Sequence, residues 1–136
     1  MTRMPAPAVA VAIAQFAPSV DSEANARQID RMAGVAAERG AKLVVFPEYS
    51  SFFVDPFDET LARHAQSLDG PFVTALHQTA ERTGAVIVAG LIETASNPAK
   101  VRNAAVAVGP SGVLAVYRKL HLYDAFGHRE SDWVEA

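Results

Sequence analysis

No cysteine occurs anywhere in the 136 residues. That excludes a disulfide framework and thiolate metal ligation within them, and it is neutral about cellular compartment. Basic charge is also scarce, with a formal net charge of -3, so nothing in the balance points to nucleic acid. No Gly-x-Gly-x-x-Gly follows the first apolar run, which argues against a dinucleotide cofactor. Neither Ser50 nor Ser51 sits in a Gly-x-Ser-x-Gly elbow, which argues against a serine triad. Met1 to Ala14 has the outline of a signal peptide, with Arg3 as its positive region and Ala12-Ile13-Ala14 as a cleavage-like triplet. Pro5 and Pro7 interrupt the apolar run and leave it too short. A first buried strand over Val9 to Phe16 is the better reading, and the expectation is a cytoplasmic protein without membrane association.

What is present describes an ordinary globular domain. Half of the residues are hydrophobic and 20% are charged, and a single domain of this size buries roughly two-thirds of its unfolded surface. Val9 to Phe16 is a continuous β-branched and small apolar run, the mark of a strand covered on both faces. Between Ser22 and Arg39, Ile29, Met32, Val35 and Ala36 recur at helical spacing. Ser19 or Asp21 is available as cap, and Gly40 stands where a helix stops. Leu43 to Phe46 predicts a second strand, parallel to the first because a helix connects them. A loop rich in Phe52, Phe53, Pro56 and Phe57 precedes a short helical stretch near Glu59 to Gln66. Pro71 then opens a helix whose apolar side is Phe72, Val73, Leu76 and Ala80, with Gly84 as its end. Ala85 to Leu91 predicts the third strand. After a turn at Asn97-Pro98, strands are expected over Asn103 to Val108 and Val113 to Lys119, joined by Gly109-Pro110-Ser111-Gly112. The expectation is a β-α-β-α-β unit with an antiparallel meander appended, and a polar, irregular segment from Asp124 to Ala136.

Two positions carry the chemistry. In a parallel sheet the ligand site lies beyond the carboxyl ends of the strands, and Phe46-Pro47 delivers Glu48 to that place. Flanked by Tyr49 and the phenylalanine-rich loop, its carboxylate is expected to be partly desolvated, the condition that moves a carboxyl toward general-base use. Along the last strand Tyr117 and Lys119 share one face while Val116, Arg118 and Leu120 take the other, so one basic residue must point toward packed protein. A buried lysine requires a carboxylate partner. His121, Asp124, His128 and Glu130 lie close together, but their spacing matches no metal motif, and no metal is expected. His64 and His77 fall on helices and are expected at the surface.

Val44-Val45-Phe46-Pro47-Glu48 and Tyr117-Arg118-Lys119-Leu120-His121-Leu122 together resemble two of the three catalytic signatures of the nitrilase superfamily. The likeness extends over essentially the whole chain, through Asp69-Gly70-Pro71, Val88-Ala89-Gly90, Arg102-Asn103-Ala104-Ala105 and Arg129-Glu130-Ser131. It implies an α/β (α+β) chain forming the amino-terminal part of a four-layer α-β-β-α sandwich, with residues 1–136 as a partial carbon-nitrogen hydrolase domain. It implies cofactor-independent hydrolysis of an amide, carbamoyl or nitrile bond in a small molecule by a Glu-Lys-Cys triad. Glu48 corresponds to the base, Lys119 to the oxyanion cation and Glu130 to a second glutamate that orients the site. The nucleophilic cysteine is the missing signature, so a chain truncated before it is expected to be inactive alone. A homo-oligomer is expected, and the alternative is a non-catalytic remnant stabilised by association with another chain.

Overall fold

The computed structural model describes residues 8–136. Arg3, Pro5 and Pro7 of the signal-like segment lie outside them. The order is β1 (Val11–Ile13), α1 (Ser22–Glu38), β2 (Leu43–Val45), α2 (Thr60–His64), α3 (Pro71–Thr83), β3 (Val86–Thr94), β4 (Val101–Gly109), β5 (Gly112–Arg118), β6 (Asp124–Ala125) and β7 (His128–Arg129), with a 3-10 turn at Glu130–Asp132. β1 to β5 form one sheet in chain order. β1, β2 and β3 run parallel, and β4 and β5 return antiparallel. The crossover helices impose the parallel pairs, whereas the short Gly109–Gly112 turn, with Gly112 at φ +113°, permits only the antiparallel one.

Helix ends follow their local chemistry. Asp21, not Ser19, caps α1 by accepting from the Ala24 N–H at 2.9 Å. Gly40 and Gly84 follow α1 and α3 at φ +90° and +69°, conformations that cost a side-chain residue energy. α1 and α3 pack against each other on one face of the sheet, and Ile29, Phe72, Leu76, Val44, Ile87 and Val106 close the core between the layers. Each such fully buried side chain contributes on the order of 1.5–3 kcal/mol. Val35 departs from the expected stripe: it is 45% exposed, and Ala33 faces inward with Ile29. A smaller cluster of Tyr49, Phe52, Leu61, Ile92, Val101 and Val134 packs beside the site.

Two strand expectations are corrected. The first strand covers only Val11–Ile13 and is not enclosed on both faces: Val11 is 52% and Ile13 78% exposed. Alternation explains this, because Ala12 and Ala14 turn toward the helices while Val11 and Ile13 turn away. Leu43, Val45, Val86 and Val88 continue that open face in register, and Tyr117 extends it on β5. The segment after Asp124 is not irregular either. It forms the β6–β7 hairpin and the 3-10 turn, and backbone hydrogen bonds join Val101 to Trp133 and Glu135.

An apolar sheet face that no layer among the described residues covers is unusual on a soluble monomer. The chain alone is therefore expected to sediment above monomer mass at micromolar concentration and to light up a dye for apolar surface. A dye-silent monomer with sharp cooperative unfolding would contradict this.

Candidate active site

The turn after β2 presents Glu48, and β3 grips that turn. The Phe46 N–H donates to Val88 O at 2.8 Å, the Gly90 N–H to Pro47 O at 3.2 Å and the Ser51 N–H to Gly90 O at 2.9 Å. Ser51 Oγ accepts from the Ile92 N–H at 3.0 Å, and the Ser50 hydroxyl donates to Pro47 O. Both serines are buried and committed to backbone. Asn25 of α1, buried, donates its amide to Ser19 O and Ser51 O and thereby ties the helix to the turn. Tyr49 takes φ +57°, which reverses the chain between Glu48 and the serines. The turn lies so close to β3 that a Cβ on Gly90 would stand 2.4 Å from Tyr49 N and 2.8 Å from Glu48 C.

Lys119 follows β5, and its N–H pairs with Asn103 O at 2.9 Å, which carries the strand register one residue further. Its ammonium stands 3.3 Å from Glu48 Oε1 and 3.0 Å from Glu130 Oε2. The structure thus brings together all three residues expected at the site. Their surroundings differ: the Glu130 side chain is 3% exposed and that of Glu48 55%, so Glu48 is less enclosed than its neighbours in sequence suggested. Arg118 turns to the opposite face and forms a bidentate pair with the buried Glu93, both contacts at 2.6 Å. That settles which basic residue faces the carboxylates.

Glu130 is the most heavily bonded group of the three. It accepts from the Tyr49 hydroxyl at 2.7 Å, the Tyr123 N–H at 2.6 Å and the Asn103 amide at 3.3 Å, in addition to Lys119. Burial alone would raise its pKa, but these donors outweigh burial and hold the carboxyl below its usual range. Burial likewise opposes the Lys119 charge, and the two carboxylates overcome it and raise its pKa. Tyr49 is pushed well above its ordinary pKa, first by burial and then by Glu130, so it serves as a fixed donor. Asn103 also donates to Glu48 Oε1 at 2.5 Å. Sequence places Tyr49 only as a flank to Glu48 and gives Asn103 no role of its own; a lone asparagine sharing a strand face with Ala105 and Ala107 is the available signal, since a buried amide demands partners.

Glu48, Lys119 and Asn103 border a cleft of about 450 Å³, floored by Val45, Val88, Gly90 and Ala105 and edged by Tyr117 and His121, with Glu130 buried behind Lys119. It opens along the uncovered apolar face. His121, Asp124, His128 and Glu130 do not gather into a ligand set, and among the described residues no three such side chains do: Asp124 accepts from Ser131 and Glu130 faces Lys119. His64 stacks on Phe52 at a ring distance of 4.4 Å, and the half-buried His77 contacts Pro110 O.

The family model for carbon-nitrogen hydrolases matches residues 10–136. A hydrolase of Mycobacterium tuberculosis is 36% identical over 91% of this chain and 44% of its own length. Deaminated glutathione amidase of Escherichia coli O157:H7 is 34% identical over 93% of this chain and 48% of its own. The crystal structure of an amidase from Nesterenkonia sp. superposes with a TM-score of 0.73 at 26% identity, over 93% of this chain and 47% of that one. The chain spans a little under half the length of these relatives.

Gly90→Ala tests the grip of β3 on the turn. Backbone, not a movable side chain, meets the added methyl, so a loss of about 1–3 kcal/mol is expected in denaturant unfolding, with Glu48 displaced. Gly109→Ala, which meets the end of the Leu114 side chain, should cost less. Equal costs would contradict the account.

Proposed function

The chain belongs to the carbon-nitrogen hydrolase family, and on that premise we propose that Glu48, Lys119 and Glu130 form the thiol-independent part of a site that hydrolyses a non-peptide carbon–nitrogen bond. The observation that carries this reading is the meeting of one lysine with two carboxylates, the lysine and one of the carboxylates lining a cleft. The substrate class is a small amide, carbamoyl compound or nitrile. Two of the relatives are amidases by description, which favours the amide.

The proposed cycle needs a thiol, and these 136 residues contain none. With a thiol beside the cleft, Glu48 takes its proton and the thiolate attacks the amide carbon. Lys119 faces the oxygen that becomes negative, where a preorganised cation lowers the barrier most. Collapse of the tetrahedral intermediate expels ammonia or amine, which receives the proton held by Glu48. Glu48 then takes a proton from water as it attacks the thioester, and the acid and thiol are released. Glu130 contributes by holding Lys119 charged and fixed.

No helix among the described residues is long and apolar enough to cross a membrane. A cytoplasmic location and a homo-oligomeric assembly belong to the proposal. A second reading, a non-catalytic module stabilised by another chain, has the uncovered apolar face in its favour.

The polypeptide of residues 1–136 is expected to release no ammonia above a heat-treated control from simple amides, nitriles and carbamoyl compounds; release would show that a thiol is dispensable. In any longer form that includes the nucleophile, Glu48→Gln and Lys119→Met should each abolish turnover with the fold intact, since each removes a charge used in the chemistry. Near-normal turnover in either would overturn that residue's assignment.

A further inference from the structure

Asn103 lies on β4, 5% exposed, between Arg102 and an apolar run that begins at Ala104. Its single Nδ2 has two hydrogens, and the structure directs them at two different carboxylates: Glu48 Oε1 at 2.5 Å and Glu130 Oε1 at 3.3 Å. Ionised carboxylates only accept, so the amide nitrogen, not its oxygen, must face both of them. Lys119 contacts the same two oxygens, at 3.3 and 3.2 Å.

We propose that Asn103 is a positioning residue for the carboxylate pair, bridging Glu48 and Glu130 through one amide group and fixing which oxygen of Glu48 exchanges protons. This rests on the reading of Glu48 as the base. Two carboxylates close together disfavour each other's charge. One lysine supplies one positive charge between them, and Asn103 adds a donor to each without adding charge. Both donors engage Oε1 of Glu48, and among the described residues no donor reaches Oε2. Oε2 is therefore the oxygen left for the thiol proton and later for water. Of the two carboxylates, the Tyr49 hydroxyl and the Tyr123 N–H reach only Glu130, so among the described residues Asn103 is the one neutral group that connects the half-exposed carboxylate to the buried one.

The charged and titratable groups around this amide are Glu48 and Tyr49 on the turn after β2, Lys119 and His121 beyond β5, and Glu130 beyond β7. The test uses the 136-residue chain labelled with ¹⁵N and ¹³C. Asn103 Nδ2 is expected to show scalar coupling across hydrogen bonds to the carboxyl carbons of both Glu48 and Glu130. Glu48→Ala should remove the first coupling and leave the second. In Asn103→Leu, the Glu48 side-chain couplings should collapse to rotamer-averaged values while the backbone spectrum is retained.

Coupling to one carboxylate only, or couplings indifferent to Glu48→Ala, overturns the bridge. Retained Glu48 rotamer order in Asn103→Leu overturns the positioning role, and should that variant fail to fold, the wild-type couplings and Glu48→Ala still decide. None of these measurements depends on turnover. Failure of a thiol-bearing form to hydrolyse any amide would therefore fault the hydrolase reading and leave the bridge standing.

Discussion

The ammonium of Lys119, held between two carboxylates of unlike exposure, is the interaction on which the site depends. Glu130 is buried, and a buried carboxylate without a cation costs several kcal/mol. Glu48 is half exposed, so its contact with the same ammonium is worth far less to stability. The asymmetry separates the roles. One carboxylate anchors the lysine, and the other stays accessible, with its second oxygen unengaged, as the proposed base requires.

Backbone geometry, more than side-chain packing, sets that arrangement. Three backbone hydrogen bonds between β3 and the turn after β2 fix Glu48, and the absence of a side chain at Gly90 lets the two backbones approach. Lys119 is fixed by the β4–β5 register, through its N–H on Asn103 O. Glu130 is fixed by the hairpin that precedes it, through the Tyr123 N–H. The turn that carries Glu48 thus meets, at one end of the sheet where the open apolar face begins, two segments 71 and 81 positions further along the chain. The cleft and the uncovered face are continuous, so whatever layer covers the face also walls the site.

Much of this was legible because local patterns are strong where they matter. Pro47 before Glu48, Pro71 at a helix start, and Gly40 and Gly84 at helix ends state backbone conformations directly. The alternation of Tyr117, Arg118 and Lys119 required that one cation turn inward, but period-2 logic does not say which face holds the carboxylates. Only the placement of Glu93 opposite Arg118 resolves it. The roles of Asn103 and Tyr49 were hidden for a related reason: each depends on partners 27 to 81 positions away. Val9 to Phe16 was misread as doubly covered because apolar composition records what a face prefers, not what stands against it. The hairpin after Asp124 escaped notice because strands of two residues leave no period to detect.

The most direct test of this account is the titration of Glu130 in the 136-residue chain, followed through its carboxyl ¹³C resonance, with and without Lys119→Met. Its folded pKa is depressed, so the stability it contributes is present above the unfolded carboxyl pKa and is lost as the pH falls through the lower folded value. The account predicts that Glu130 in the unmodified chain stays ionised below the ordinary glutamate range, and that Lys119→Met moves its titration upward. Titration at the ordinary position, unchanged by loss of the lysine, would contradict the claim that the ammonium and its two carboxylates are assembled within this chain.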